Sequence, residues 1–197
     1  VKQALGPGGA IETFLKAKEE GKVKYLGFSA HTTKAALEAM KGFRFDTVMF
    51  PINFVEFYVK GFGREVMDLA NAQGAALLSI KPMSRGAWAK GEERTRKWWY
   101  RSVETEKEVR LAWRWVLSRP GVVSGIPPSF LDLLDKTIEA TKAFKPLDEP
   151  AIEKLKVMAA NAGSIFIREE QQVALNPLRW SPVYPDSPHE SGYGHLA

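Results

Sequence analysis

The stretch GKVKYLGFSAH, running from Gly21 to His31, decides how the whole chain is read. Gly21 can stop a helix, a short apolar run follows, and Ser29, Ala30 and His31 close the stretch with small or polar side chains. A strand that delivers such residues at its C-terminal end puts them where open α/β sheets and α/β barrels hold their ligands.

The same order recurs along the chain. Residues 10 to 20 place Ile11, Phe14, Leu15 and Lys18 on one helical stripe, and the strand over 25 to 29 follows. Thr32 and Thr33 are N-cap candidates for a helix carrying Ala35, Leu37 and Met40 and ended by Gly42. DTVMF, residues 46 to 50, predicts a second buried strand, and Pro51 opens a loop because it cannot donate to a central ladder. A helix over 63 to 72 and a third strand over 75 to 80 come next. Residues 81 to 102 form the longest irregular stretch, and long loops in compact domains are commonly functional. Thr105 is placed to cap a helix through Leu117, VVSGI (122 to 126) predicts a fourth strand, and Leu131, Leu134 and Ile138 line an inward face on a helix over 130 to 142. Asp148 and Pro150 open a final helix that Gly163 ends.

Strands alternating with helices call for a parallel sheet whose strand ends share one edge. Four such units make half of an eight-stranded barrel, since a whole one takes about 250 residues. The expected organisation is a partial barrel domain over 1 to 163, including an extra C-terminal helix, and an extended tail over 164 to 197 rich in proline and polar residues.

Composition narrows the function. The 197 residues are 45% hydrophobic and 26% charged, which suits a soluble globular protein. No cysteine occurs, so thiolate metal sites and cysteine nucleophiles are excluded, and three histidines without ligand spacing predict no metal. No apolar run reaches the roughly 18 residues of a spanning helix, and no leader pattern opens the sequence. A cytoplasmic location and no membrane partner are the expectations. The net charge of +5 favours anionic ligands, which a phosphate-bearing cofactor satisfies.

Four motifs, in order, resemble the aldo/keto reductases: GGAIETFLKAKEEGKVKYLGFSAH (8 to 31), VMFPINF (48 to 54), SIKPMSRG (79 to 86) and EVRLAWRWVLSRPGVVSGIPPS (108 to 129). The resemblance implies the C-terminal half of a (β/α)8 TIM barrel, strands five to eight, and an NADP(H)-dependent oxidoreductase, with NAD(H) also open. It assigns Ser29, His31 and Asn53 to the nicotinamide side. Pro82, Met83 and Gly86 match the pyrophosphate-side loop, Lys136 is the cation near the adenosine 2′-phosphate position, and Lys81, Arg85, Pro127 and Ser129 complete the implied cofactor-binding set. Ala30 and Met49 stand where the family has an asparagine and a glutamine, and Asp132 and Asp135 stand where an arginine often holds the 2′-phosphate.

The family's catalytic Asp, Tyr, Lys and His precede its fifth strand, so no catalytic residue is expected in these 197 residues. The implied partners are a small carbonyl substrate, in the intact protein, and either the missing N-terminal half or a second copy. The alternative reading is a non-catalytic half-barrel that binds nucleotide or serves assembly. Trp88, Trp98, Trp99 and Tyr100, interleaved with Arg85, Arg94, Arg96 and Arg101, compose a platform that single-stranded nucleic acid could use. Its place after a strand end favours a cofactor or substrate loop instead.

Overall fold

The computed structural model describes residues 1 to 89 and 91 to 166. The chain opens with a single turn, α1 (Lys2–Leu5), and α2 (Ala10–Glu19), then enters β1 (Gly27–Ser29), α3 (Thr33–Gly42) and β2 (Thr47–Pro51). Two helices follow, α4 (Phe54–Lys60) and α5 (Arg64–Gln73), before β3 (Ala76–Ile80). A small hairpin of β4 (Ser84–Gly86) and β5 (Arg101–Ser102) precedes α6 (Glu106–Leu117), β6 (Val122–Ile126), α7 (Leu131–Lys142) and α8 (Glu149–Ala160). β1, β2, β3 and β6 form one parallel sheet in that order, as alternating strands and helices predict.

Local chemistry explains several helix starts. Thr32, Thr105 and Asp148 each accept a bond from a backbone N–H three residues on, which satisfies a donor that the first helical turn leaves unpaired. The region after Pro51 departs from the expected loop. Asn53 caps α4 by accepting from the Glu56 N–H at 3.0 Å, and the spacing Asn53 to Glu56 is that of a capping box.

The two faces of the sheet differ. Val48 and Phe50 of β2 and Leu77 and Ser79 of β3 are fully buried under the helices, and Ser79 Oγ donates to the Ile52 carbonyl at 2.7 Å. On the opposite face the register aligns Ser29, Met49, Leu78 and Ser124 across all four strands, and Ser29 and Ser124 are exposed. β1 and β6 are the edge strands.

Two expected inward faces turn outward. Phe14 and Leu15 on α2 are exposed, and only Ile11 is buried, in a satellite cluster with Leu26, Ala39 and Phe45. On α7 the buried residues are Leu133, Thr137 and Ala140, while Leu131 is 80% exposed and Leu134 and Ile138 are also in solvent. A helix advances about 100° per residue, so a shift of one position turns the buried stripe onto the neighbouring face. Tyr25, at the start of the predicted strand over 25 to 29, is 71% exposed beside the β1 edge. No described helix is long and apolar enough to cross a membrane.

Residues 164 to 166, where the tail was expected to begin, continue into the packed core: Ile165 and Phe166 are buried with the side chains of β2, α4 and α8. The remainder of the expected tail lies outside the described residues.

Candidate functional site

Parallel pairing brings the C-terminal ends of β1, β2, β3 and β6 to one edge, where the sheet's backbone acceptors end and side chains from successive loops can converge. Past β1, Ala30 N–H donates to the Met49 carbonyl at 3.1 Å and extends the ladder by one bond, which carries His31 over the sheet end. Past β3, Lys81 adopts φ 55°, the left-handed region that costs an L-residue about 1–2 kcal/mol. Backbone strain of that kind concentrates at ligand sites. The turn directs Lys81 toward β1, and its Nζ lies 3.3 Å from His31 Nε2. Trp99 and Phe166 complete the group, with Lys81 Nζ 5.8 Å from the Trp99 ring centre and 5.7 Å from that of Phe166.

Asn53, at the end of β2, is 1% exposed. Its Oδ1 serves the α4 cap, and its Nδ2 is buried without a hydrogen-bond partner among the described residues. Burying an unsatisfied amide donor costs about 1–3 kcal/mol, so the position suits a bound carbonyl-type acceptor. Of the sequence-predicted residues, the structure brings His31 and Lys81 into contact, and Asn53 lies just past the end of the β2 strand between theirs. Ser29 lies on the open face of the same sheet end, exposed.

The other predicted residues have different surroundings. Pro82 is buried, and Met83 is completely buried in the main core. Arg85 donates to the Met158 carbonyl at 2.9 Å and faces Glu108. Gly86 has φ +100°, and a Cβ there would lie 2.6 Å from the Gly163 carbonyl oxygen. Pro127 lines a shallow apolar groove with Trp113, Leu134 and Ile138, and Ser129 is exposed. Lys136 donates to the Glu104 carbonyl at 2.7 Å.

The basic loop is electrostatically occupied. Arg96 donates to both Asp132 oxygens at 2.9 and 2.6 Å and to Glu104 at 3.0 Å, and the Arg96 guanidinium holds the Asp132 carboxyl below the usual range. Trp99 and Tyr100 are buried. Burial pushes the Tyr100 hydroxyl up to about 12, the opposite of what a proton-donating tyrosine needs. Tyr58 accepts from Trp115 Nε1 at 2.9 Å on the outer helices.

Phe62, Glu56 and Phe166 escaped the sequence reading. Glu56 is 1% exposed and accepts from Ser164 Oγ at 2.5 Å and from the Ile165 N–H at 2.6 Å. Burial pushes its carboxyl up, and these two bonds partly offset the shift. The capping-box spacing from Asn53 was the available signal for Glu56, but the partners lie more than a hundred residues on. Among the described residues, no cluster of His, Asp or Glu could hold a metal ion.

No protein-family model and no curated protein matches this chain. Among solved structures it is similar to an aldo-keto reductase from Bacillus halodurans. The apo form superposes with a TM-score of 0.56 at 20% identity, over 79% of this chain and 58% of the reductase. The holo form gives 0.57 at 21% identity, over 79% and 57%. The chain spans less than two thirds of the length of these reductases, and what it shares with them is the fold, an α/β arrangement around parallel strands.

Proposed function

We propose that this chain is the cofactor-holding part of an oxidoreductase of aldo/keto reductase type, the C-terminal half of a (β/α)8 barrel, that interconverts carbonyls and alcohols. The observation that carries the reading is the buried Nδ2 of Asn53, without a partner among the described residues, at the same sheet end as Lys81 and His31. Fold similarity to a reductase with a holo form supports it.

A nicotinamide dinucleotide, when bound, supplies the hydride. Asn53 Nδ2 is a donor for a carboxamide oxygen, and the Ser29 hydroxyl is available from β1. Lys81 provides a cation for phosphate, and its strained backbone holds it at the sheet end. At the adenosine side, Lys136 and Arg96 stand among Asp132 and Glu104, so the added charge of a 2′-phosphate meets carboxylates as well as cations. NADP(H) is the proposed cofactor on the strength of the sequence resemblance, and NAD(H) is its direct competitor.

The proton-donating tyrosine and its partners are proposed to come from a segment outside these 197 residues. Tyr100 is buried and Tyr58 is engaged on the outer helices, so neither takes that role. The open sheet face, the β1 edge near Tyr25, and the outward Leu131, Leu134 and Ile138 of α7 are where that segment, or a second copy of this chain, would pack. The same surfaces favour the second reading, a half-barrel whose role is assembly without catalysis. Mixing the chain with NADPH and a panel of aldehydes separates the two. Saturable NADPH binding without turnover is expected, and absence of binding to NADPH and NADH would favour the assembly reading.

A further inference from the structure

Beyond α8 the chain returns to the sheet mouth and is fixed there at several points. The Ala87 N–H donates to the Gly163 carbonyl at 2.9 Å. Glu56 then takes the Ser164 hydroxyl and the Ile165 N–H on its two oxygens, and the Phe166 N–H donates to Ser164 Oγ at 3.2 Å. These bonds deliver the Phe166 ring, 1% exposed, into the residues of the candidate site. It lies parallel to Phe62 at 5.3 Å and to His31 at 6.1 Å, edge-on to Trp99, and within reach of the Lys81 ammonium.

We propose that residues 164 to 166 form a strap gating the sheet mouth, with Glu56 as its latch and the Phe166 ring as a plug that a planar, anionic ligand must displace. The proposal rests on the reading of the mouth as a cofactor site. Three observations carry it.

The plug makes contacts of the kind such a ligand would make. Its faces meet aromatic rings, and the Lys81 ammonium stands 5.7 Å from its centre. A flat ring with an attached phosphate would use the same ring faces and the same cation.

The latch is a charged clasp set against the buried rings of Phe62 and Phe166. Buried charge is costly unless fully hydrogen-bonded, so Glu56 favours closure only while both donors stay in place. Losing one donor turns the same carboxylate into a penalty. A core closed by apolar packing alone would lack that switch-like dependence.

There is also room for release. A cavity of about 280 Å³, lined by Thr33, Glu56, Lys60, Phe62, Glu65 and Ser164, adjoins the clasp. Glu56 can be solvated there when the strap leaves. Lys60 and Glu65 are the charged side chains sharing that cavity with it.

The test uses the full chain with Glu56→Ala, Ser164→Ala and Phe166→Ala. Amide hydrogen exchange reads strap release, carbethoxylation of His31 located by peptide mass spectrometry reads mouth opening, and NADPH titration reads competition. Glu56→Ala and Ser164→Ala are expected to speed exchange at Ile165 and Phe166 at least tenfold while the β3 amides stay protected. His31 modification should rise several-fold, and Phe166→Ala should tighten NADPH binding at least threefold. Unchanged exchange at the strap with β3 intact would overturn the latch. Weaker NADPH binding in Phe166→Ala would overturn the plug and make the ring a wall of the site. If no form of the chain binds NADPH, the cofactor reading falls, and the exchange and His31 rates still decide the gate: unchanged rates overturn it, and faster rates sustain it. Should Glu56→Ala fail to fold, Ser164→Ala, which removes one donor and leaves the carboxylate, gives the same decision.

Discussion

Lys81 Nζ lies 3.3 Å from His31 Nε2, so side chains fifty residues apart meet across the exit of the strand between them. The contact depends on a lysine backbone held at φ 55°, a conformation glycine adopts freely. A residue that is locally unfavourable and yet aimed at the sheet mouth is a mark of function.

Substitution at Lys81 separates the backbone effect from the charge effect. Lys81→Ala keeps the strain and loses the cation, whereas Lys81→Gly loses both. In denaturant melts the glycine variant is expected to be more stable than the alanine variant by about 1 kcal/mol. Both should bind NADPH about tenfold more weakly than the parent, since an ion pair to phosphate contributes on that scale.

Gly86 ties the hairpin to the end of α8. A Cβ there would stand 2.6 Å from the Gly163 carbonyl oxygen and 3.0 Å from Ala162 Cβ, in a left-handed backbone. Gly86→Ala is expected to cost about 1–3 kcal/mol, measured by thermal or chemical unfolding. A loss of less than a few tenths would mean that the C-terminal segment is not held as described.

Asp46 joins α2 to the start of the sheet by accepting from the Leu26 N–H at 2.8 Å and from Lys18 Nζ at 2.9 Å. The backbone bond first, and Lys18 second, hold its carboxyl below the usual range. A carboxyl depressed by folding adds stability above its unfolded pKa and loses it as pH falls through the folded one. Asp46→Asn should therefore destabilise the protein at neutral pH, and the gap from the parent should close in acid. A gap that stays constant with pH would contradict this assignment.

The exposed apolar flank of α7 predicts association. Leu131 is 80% exposed, and Leu134 and Ile138 line a groove with Gly125 of β6, an edge strand. Sedimentation of the parent chain is expected to show concentration-dependent self-association, reduced by joint replacement of the three with serine. A monomer at all concentrations would count against both the half-barrel and its assembly role.

What was legible in the sequence was local. The caps at Thr32, Thr105 and Asp148, the Val122–Ile126 strand and the parallel order of strands follow from short-range bonding and hydrophobic spacing. Helix α4 escaped because Pro51 reads as a terminator, although the Asn53 to Glu56 spacing carried a helix-start signal. The orientation of α7 escaped for a different reason. Its leucines fit either of two neighbouring faces, and packing against α6 selects the one with Leu133, Thr137 and Ala140.

At the site, Asn53, Lys81 and His31 were legible as strand-end residues. Their company was not. Phe166 reaches His31, and Ile165 reaches Glu56, from the far end of the described chain, and no sequence spacing encodes such contacts. Arg96 likewise gave no sign in sequence that Asp132 and Glu104 would claim its guanidinium.

The central claim, that this sheet end holds a nicotinamide dinucleotide, is tested most directly by calorimetric titration of the chain with NADPH and NADH beside Asn53→Ala. The account predicts saturable one-to-one binding to the parent, weakened about tenfold when the buried Asn53 donor is removed. Absence of binding, or binding that Asn53→Ala leaves unchanged, would contradict it.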